Sequence, residues 1–561
     1  MKNIKFIVLG LVLMGAMIVA CSDDFLEAPP QASLDEGTLG NQQGVEASLI
    51  SAYSMLDGWN DDWGTFSPPW GGAGSNWVWG SVPSDEAYKG SEPGDQLEIQ
   101  QVELFQWAPG NVYLNVKFRA LYEGIARANA TINLMKKSAN IQEQGRIEGE
   151  ARFLRAHYHF DAWKIWKNVP YYNETDLDFR KPNTEDIVPR MIEDFQFAID
   201  NLPETQGAVG RATKGAAQAY LGKLYLYTGD FTKAKTQLDA VVNSGKYALL
   251  PCFHDVFTQE HENGSEMIFS IQASVNDGTS EGQNGNFADR LRYPNGGGTF
   301  SCCGFHQPSQ NLVNSHKVDA NGLPMISTYN NADAAASDPI DPRVDWTVGR
   351  DDVPFLTYGN HSPAWIRARA WAGPYSAKKF IHDPGENAAS SWSNQQLSTI
   401  NTPIIRYADV LLMLAECEVE IGSLERAREL VNMVRARAAG CAQGPDGGAT
   451  NLNDPGITWA TYQVGLYNTP WTDKDGARNA VRFERKLELA LEGHRFFDLR
   501  RWGVAKDVIN NEYLAVEKTK RTYLDASGGF EDRHILYPLP SVQIELSKVN
   551  GTPQLRQNDG Y

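Results

Sequence analysis

Residues 213–243 read TKGAAQAYLGKLYLYTGDFTKAKTQLDAVVN, and this stretch decides the fold. Apolar side chains recur every three or four positions in two runs, which is the period of an amphipathic α-helix, and the runs are separated at Gly229. The first run contains the Leu-Gly-x-x-Tyr pattern of a tetratricopeptide unit, beginning at Leu221. Ala234 stands at the small-residue position of the second run, where two such helices approach closely. The stretch therefore predicts a helix pair.

A second copy of this pattern lies at residues 404–439, where Gly422 and Ala427 repeat the spacing of Gly229 and Ala234. Helical periodicity also predicts helices at residues 44–56, 112–137, 142–167, 186–201, 213–228, 231–243 and 478–501. We therefore predict a mainly α protein, a tetratricopeptide-like helix-pair scaffold with long loop-rich insertions.

Between the first two predicted helices, residues 59–79 read WNDDWGTFSPPWGGAGSNWVW and hold five of the 15 tryptophans of the chain. Their glycines and prolines exclude a helix or a central strand, so we expect surface loop. Indoles beside Asp61, Asp62 and Asn76 suit a sugar, whose C–H face packs on the ring while its hydroxyls reach polar groups. The alternative is that the indoles fold inward and fix the loop to the scaffold.

A second aromatic loop region lies at residues 246–400, which are rich in Gly, Asn, Ser and Pro. Long irregular segments that carry many aromatic residues are usually functional. Its basic residues Arg292, Arg367, Arg369, Lys378 and Lys379 are donors for sugar hydroxyls or uronates, or else they form local ion pairs. We expect Trp59 and Trp63 to anchor the loop. The predicted ligand-binding rings are Trp70, Trp77, Trp79, Tyr293, Trp365, Trp371 and Trp392.

The N-terminus has the pattern of a secreted lipoprotein. Lys2 and Lys5 precede an apolar run, Phe6–Ala20, that is short for a membrane span and typical of a signal peptide. A small residue directly before Cys21 resembles a lipobox and predicts lipidation of that cysteine; the alternative is an ordinary secreted protein. The predicted organisation is a signal peptide at 1–20, a tether at 21–40, an N-terminal helical part at 41–245 with a Trp-rich loop at 58–110, an aromatic insertion at 246–400 and a C-terminal helical part at 401–561.

Charge and cysteine content narrow the possible partners. The formal net charge of −18 argues against nucleic acid and against anionic membrane surfaces. The cysteines include no Cys-x-x-Cys pair, so the sequence indicates no zinc site. Cys302 and Cys303 are adjacent and either form a vicinal disulfide or stay reduced, whereas Cys417 is expected to be a small buried residue of a helix.

Acidic residues are plentiful, but the sequence predicts no catalytic or metal site. In the predicted helix 478–501, Arg485–Glu488, Glu492–Arg495 and Asp498–Arg501 are each three residues apart and in position to form ion pairs. The turn-like stretch Asp319–Gly322 is acidic enough for structural calcium but lacks the twelve-residue loop pattern. We therefore expect no cofactor and no enzymatic activity.

Several ordered blocks of the chain carry a family resemblance. They are CSDDFLEAP from Cys21, EARFLRAHYHF at 150–160, NVPY at 168–171, ERKLELALEGHRFFDLRRWG at 484–503, LYPLP at 536–540 and QNDGY at 557–561. These blocks resemble the SusD/RagB family of Bacteroidetes outer-membrane lipoproteins. The resemblance implies a lipid-anchored, surface-exposed protein that binds glycan through loop aromatics and covers a TonB-dependent transporter similar to SusC. The acidic pair after Cys21 resembles the signal that sends such lipoproteins to the outer leaflet.

Two other function classes stay open at this point. A glycoside hydrolase needs only two carboxylates at the right separation, which a sequence cannot exclude. A protein-interaction scaffold that takes up a non-sugar nutrient would use the helix pairs, since tetratricopeptide units usually bind partners. That scaffold does not need the tryptophan-rich loops, so we expect capture of an oligo- or polysaccharide.

Overall fold

The helices that the sequence predicts form the main element of the computed structural model. The predicted signal peptide and the predicted lipidation site Cys21 lie outside the described residues. Among the helices that are described, none is long and apolar enough to cross a membrane. The structure describes residues 39–58, 68–275, 277–278, 284–384 and 397–561.

The first half of the chain is a series of helices in which each long helix packs on the one before it. These helices are α1 (Gln42–Tyr53), α2 (Leu97–Glu103), α3 (Val112–Lys137), α4 (Gln144–Trp166), α5 (Val188–Asn201), α6 (Lys214–Tyr227) and α7 (Phe231–Asn243). Side-chain caps fix the first residues of helices α6 and α7. The Thr213 side chain accepts the backbone N–H of Ala216 at the start of α6, and the Asp230 side chain accepts that of Lys233 at the start of α7.

The α6–α7 pair has the close approach that its sequence predicts. A Cβ placed on Gly222 of α6 would lie 2.9 Å from Leu238 Cδ2 of α7, so only glycine lets the two helices meet this closely. Ala234 is fully buried in the same contact. The prediction of a tetratricopeptide-like helix pair is therefore confirmed at the residues that carried it.

The second half adds shorter helices and one more long pair. They are α8 (Gln310–Ser315), α9 (Arg343–Thr347), α10 (Arg369–Ala372), α11 (Tyr407–Ile421), α12 (Leu424–Ala438), α13 (Lys474–Glu488), α14 (Arg495–Arg501), α15 (Ala505–Asp507), α16 (Ala515–Glu517) and α17 (Ser541–Leu546). Helix α11 packs on α7, on α12 and on α13, so the second pair continues the stack of the first.

The predicted single helix at 478–501 is wrong, because the chain breaks between α13 and α14. Leu491 has a left-handed backbone with φ 63°, which an α-helix does not tolerate. Of the three predicted ion pairs only Asp498–Arg501 forms, at 2.8 Å. Glu488 and Glu492 instead reach basic residues on other elements.

Short strands tie the loop-rich insertion to the helices. Among the described residues, the strands form five two-stranded pairs. They are β1 (Ala87–Gly90), β2 (Met267–Ile271), β3 (Phe305–Pro308), β4 (Pro339–Ile340), β5 (Val348–Gly349), β6 (Ser376–Ala377), β7 (Thr402–Arg406), β8 (Ala442–Gln443), β9 (Ala449–Thr450) and β10 (Thr461–Tyr462). Antiparallel pairing of β2 with β7 joins the two ends of the insertion, and a Cys252–Cys441 disulfide adds a second tie.

A cluster of ten charged side chains, which we call the buried ionic cluster, joins α12 and α13 to the insertion. Arg343 Nη1 lies 2.9 Å from Glu488 Oε2, and Arg406 Nη1 lies 2.9 Å from Glu266 Oε1. Each member is at most 6 % exposed. The cluster comprises Lys379, Arg343, Arg406, Arg435 and Arg437 with Glu266, Asp341, Glu484, Glu488 and Glu492.

Glu86 is a buried carboxyl with an altered acidity. It is 1 % exposed, and burial raises its pKa from 4.5 to about 7, against a hydrogen bond from Ser81 that lowers the pKa. The folded protein therefore holds this proton more tightly than the unfolded chain does. The resulting stability is fully present below pH 4.5 and is lost as the pH rises to about 7.

The matched variant Glu86→Gln stays neutral at every pH. Relative to this variant, we expect the wild type to lose about 3 kcal/mol of unfolding free energy between pH 4.5 and 7, at about 1.4 kcal/mol per pKa unit. Urea unfolding of both proteins across that range measures the difference. If the unfolding free energies of the two proteins changed with pH in the same way, the Glu86 carboxyl would not keep its proton in the folded state.

Candidate functional site

The indoles of Trp77 and Trp79 lie in the core rather than on a surface loop. They are 0 % and 1 % exposed, respectively. Trp79 Nε1 donates to the Gly71 carbonyl at 2.9 Å, and Trp77 packs on His306 with a centroid distance of 5.4 Å. The prediction that these two rings face a ligand is corrected: enclosed rings present no face to a sugar, and they fix the segment to the scaffold.

Trp70 lies at the edge of the same segment and is 5 % exposed. It stacks on Phe287 with a centroid distance of 6.1 Å and an interplanar angle of 11°. The Arg290 guanidinium lies 3.3 Å above the centroid of the Phe287 ring. Trp70 is thus held in a layered stack inside the protein and not presented as an open platform.

The insertion encloses two of its predicted rings in the same way. Trp365 is 5 % exposed and packs edge-on against Phe300 and Phe355, with centroid distances of 5.1 and 5.4 Å. Tyr293 is 3 % exposed, and its hydroxyl lies 2.6 Å from His382 Nδ1. These rings form the inner face of the insertion, so their prediction as ligand contacts is corrected as well.

Trp371 differs from the other predicted rings that are described, because it is only half-buried. It stacks on Tyr523 with a centroid distance of 3.9 Å. The predicted ligand ring Trp392 and the predicted anchors Trp59 and Trp63 lie outside the described residues.

Four of the five basic residues of the insertion form ion pairs, and the fifth, Lys378, donates to neutral oxygen atoms. Arg367 Nη1 lies 2.9 Å from Asp95, and Arg369 Nη1 lies 3.0 Å from Asp351. Arg292 pairs with Asp289 at 3.3 Å. Lys379 belongs to the buried ionic cluster, and Lys378 Nζ donates to the Pro354 carbonyl at 2.9 Å. All five are engaged by neighbouring groups of the protein.

The two adjacent cysteines of the insertion are joined. Cys302 and Cys303 form a vicinal disulfide, while Cys417 is a buried free thiol of α11 as expected. The Tyr293 carbonyl accepts the backbone N–H of Cys303 at 3.3 Å and of Gly304 at 2.8 Å. The disulfide thus lies in a tight turn directly before β3.

An open groove of about 680 Å³ lies where α1, α3 and β2 meet. We call it the Gly58 groove, because Gly58 lines it. Gly58 directly precedes the Trp-rich stretch. A volume of this order is typical of ligand sites. Its lining residues are Ile50, Tyr53, Ser54, Met55, Leu56, Asp57, Gly58, Arg127, Gly210, Ile271, Gln272, Ala273, Ser274 and Asn284.

Polar side chains of several kinds face this groove. Arg127 Nη1 donates to Ser54 Oγ at 3.1 Å, and Asn284 Nδ2 donates to Asp277 at 2.8 Å. Gln272 Nε2 donates to Asn263 Oδ1 at 3.0 Å, which fixes its amide. Guanidinium, amide and hydroxyl groups at one groove match the donors and acceptors of a polyhydroxylated ligand.

Tyr53 supplies the aromatic surface of the groove. Its hydroxyl donates to Glu150 at 2.7 Å and accepts the backbone N–H of Ala212 at 2.9 Å. Burial, and then the charge of Glu150, raise the pKa of Tyr53 well above its ordinary value. The hydroxyl therefore stays neutral and the ring stays fixed.

Gly74 of the Trp-rich stretch packs directly against two residues that line the Gly58 groove. A Cβ on Gly74 would lie 1.9 Å from the Leu56 carbonyl and 2.7 Å from Ile271 Cδ1, and both of these residues line the groove. None of the predicted ligand rings that the structure describes lines the Gly58 groove. Tyr53, Arg127 and Gln272 could not be identified as site residues from the sequence, because Tyr53 and Arg127 belong to scaffold helices and Gln272 carries no motif.

A second, mostly apolar groove of about 440 Å³ lies between α3, the loop after α4 and α17. We call it the Phe179 groove. Leu177, Phe179 and Leu546 line it and are 101 %, 68 % and 57 % exposed. Neighbouring exposed apolar side chains of this size mark surfaces that contact a partner.

The acidic turn at 319–322 is closed by the side chain of Asp319. Asp319 Oδ1 accepts the backbone N–H groups of Asn321 at 2.8 Å and Leu323 at 2.9 Å, so it closes its own turn. In the described part of the chain, no three His, Cys, Asp or Glu residues are placed to hold a metal ion together.

Family models and a relative of known sequence match most of this chain. Residues 265–561 match the model of a family described as the SusD family. Residues 64–226 match a family described as starch-binding, associating with outer membrane. A SusD-like protein, P25, of Formosa agariphila is 24 % identical, with 95 % of this chain and 96 % of that protein covered.

Solved structures share the fold. A structure described as a laminarin binding SusD-like protein has a TM-score of 0.66 at 23 % identity. The match covers 93 % of this chain and 100 % of the laminarin-binding chain. Surface glycan-binding protein A from Bacteroides thetaiotaomicron, in complex with laminarihexaose, has a TM-score of 0.61 at 19 % identity, covering 92 % of this chain and 99 % of its own.

Proposed function

The chain belongs to the SusD family, and from that premise we propose that it captures an oligo- or polysaccharide at the Gly58 groove for uptake by the cell. The observation that carries this proposal is the groove itself, where polar side chains from α1, α3 and the loop after β2 line one open cavity together with the Tyr53 ring. Two structures of the same fold are described as binding laminarin and laminarihexaose, which supports a glycan as the ligand class.

Binding without hydrolysis is the form that the site supports. Among the described residues that line the Gly58 groove, Asp57 is the one carboxylate. Glycoside hydrolases commonly use two carboxyl groups that flank the scissile bond. A single carboxylate suits recognition of hydroxyl groups.

A titration of the purified protein with β-glucan, xylan and mannan oligosaccharides tests this function. We expect saturable binding of at least one glycan and no release of reducing sugar over many hours. Release of reducing ends that grows with protein concentration would favour the hydrolase alternative. Failure to bind any glycan would favour uptake of a non-sugar nutrient.

Delivery to a transporter is the second part of the proposal. Cys21 would carry a lipid that holds the protein at the cell surface, and the matched family is described as associating with the outer membrane. A SusC-like TonB-dependent transporter would then be the partner. The Phe179 groove is the described surface best suited to dock it, because three exposed apolar side chains line one cavity there.

Phe179→Glu is the variant that tests the docking surface. We expect its co-purification with a TonB-dependent barrel from native membranes to fall at least about tenfold, since a desolvated aromatic anchor can contribute 2 kcal/mol or more. Glycan affinity should not change, because Phe179 does not line the Gly58 groove. Val209→Glu, at another exposed apolar residue, is the control. Undiminished recovery of the barrel with Phe179→Glu would place the interface elsewhere.

A further inference from the structure

Trp371 and Tyr523 form a two-ring stack at the surface, away from the residues that line the Gly58 groove. Their centroids are 3.9 Å apart and their planes differ by 17°. The Tyr523 hydroxyl donates to Glu103 at 2.6 Å, so the lower ring is fixed to the core. Both side chains remain half-buried, and Tyr523 covers one face of the indole.

Arg521 lies beside this stack. A Cβ on Gly373, two residues after Trp371, would lie 2.7 Å from Arg521 Nη2, so the guanidinium packs against the backbone of the Trp371 turn. Its Nη1 donates to the Lys520 carbonyl at 3.2 Å, and its Cζ lies 5.8 Å from the centre of the Tyr88 ring. Backbone and ring contacts therefore hold the group in place. We call Trp371, Tyr523 and Arg521 the Trp371 platform.

Arg521 forms no close ion pair within the described part of the protein, and its charge acts on Glu517 only at longer range. No carboxylate there lies within 4.0 Å of its guanidinium, whereas Arg367 and Arg369 of the neighbouring loop pair with Asp95 and Asp351. The Glu517 carboxylate is occupied by the Tyr88 hydroxyl and by the N–H of Asn311. A fixed, half-buried guanidinium without a carboxylate can take an anion of a ligand.

We propose that the Trp371 platform binds an acidic unit of the captured glycan. The C–H face of the sugar would pack on the Trp371 indole, and its anionic group would bind Arg521. A uronate carboxylate and a sulfate ester share this chemistry, since both present oxygen pairs that match the planar fork of guanidinium. The inference rests on the proposed function and narrows its ligand class from glycans in general to acidic glycans.

The test is calorimetric titration with three hexasaccharides: an oligouronate, a sulfated oligosaccharide and a neutral β-glucan. We expect the wild type to bind one of the acidic probes most tightly, and the more tightly bound of the two identifies the anion. Arg521→Gln should lose at least about tenfold of that affinity, as expected for a charge-assisted contact, and should keep the neutral affinity. Trp371→Ala should also lower the affinity for the acidic probe.

Arg533→Gln is the matched control, because Arg533 is an exposed arginine that pairs with Glu531. Unchanged thermal unfolding midpoints would show that the variants stay folded. The proposal is overturned if the wild type prefers the neutral probe, or if Arg521→Gln binds the acidic probe as tightly as the wild type does. Loss of binding to all three probes in the wild type would instead overturn the proposed function.

Discussion

Glu488→Ala is expected to lower the free energy of unfolding by about 3–5 kcal/mol, which is the usual cost of removing one partner from a buried ion pair. Glu488 is fully buried, and its carboxylate bonds to Arg343, Arg406 and Arg437. Burial raises its pKa, but the three guanidinium groups outweigh burial and hold the pKa well below 4.5. The variant leaves positive charge uncompensated inside the protein.

Chemical denaturation measures this loss, and Asp475→Ala on the same helix α13 is its control. Asp475 pairs with Arg478 in an i,i+3 position, but its side chain is 84 % exposed. Water screens such a pair, so its removal should cost only a small fraction of the loss at Glu488. Equal losses in the two variants would contradict the view that the buried ionic cluster holds the insertion on the helices.

Trp77→Ala is expected to lower the free energy of unfolding by about 3–5 kcal/mol, as large-to-small replacements of buried aromatic residues do. The indole is fully buried against Phe305 and His306. Glycan affinity of the protein that remains folded should not change, because the ring has no open face.

Trp371→Ala should show the opposite pattern, with a smaller loss of stability and weaker binding of an acidic glycan. Its ring is half-buried and stacks on Tyr523. Denaturation curves and titrations of both variants at one temperature separate the two effects. A Trp77→Ala protein of normal stability that no longer binds glycan would restore Trp77 as a ligand contact.

Helix positions could be predicted well from the sequence, because a 3.6-residue period is a local signal. The predicted helices 112–137 and 231–243 coincide with α3 and α7, and the others, apart from 478–501, differ by a few residues at their ends. The break after α13 could not be predicted, because the apolar period continues through Leu489 and Leu491. Contacts of Glu492 with Lys379 and Arg406, far apart in sequence, accompany the turn there.

Which tryptophans face a ligand could not be predicted, because composition does not distinguish a surface loop from irregular backbone in the core. By composition alone, the glycines among the tryptophans favour a loop. A Cβ on Gly74 would lie 1.9 Å from the Leu56 carbonyl oxygen, so this glycine lets two backbone segments touch inside the protein. Close packing therefore explains the glycines, and it encloses the indoles of Trp77 and Trp79.

The platform residue Arg521 has no sequence signal at all. It lies about 150 residues after Trp371, and only the fold brings Gly373 and Arg521 into contact. The Gly58 groove is similar, since its polar side chains come from α1, α3 and the loop after β2. Sites built from distant elements need the tertiary structure.

Capture of glycan at the Gly58 groove is tested most directly by the double variant Arg127→Ala/Asn284→Ala. Both side chains line the groove and are partly or fully exposed, so the fold should keep its thermal midpoint. We predict that affinity for the best-bound glycan falls at least about tenfold. Arg190→Ala/Gln196→Ala, on the exposed face of α5, should bind like the wild type. An unchanged affinity in the groove variant would contradict glycan capture at this site.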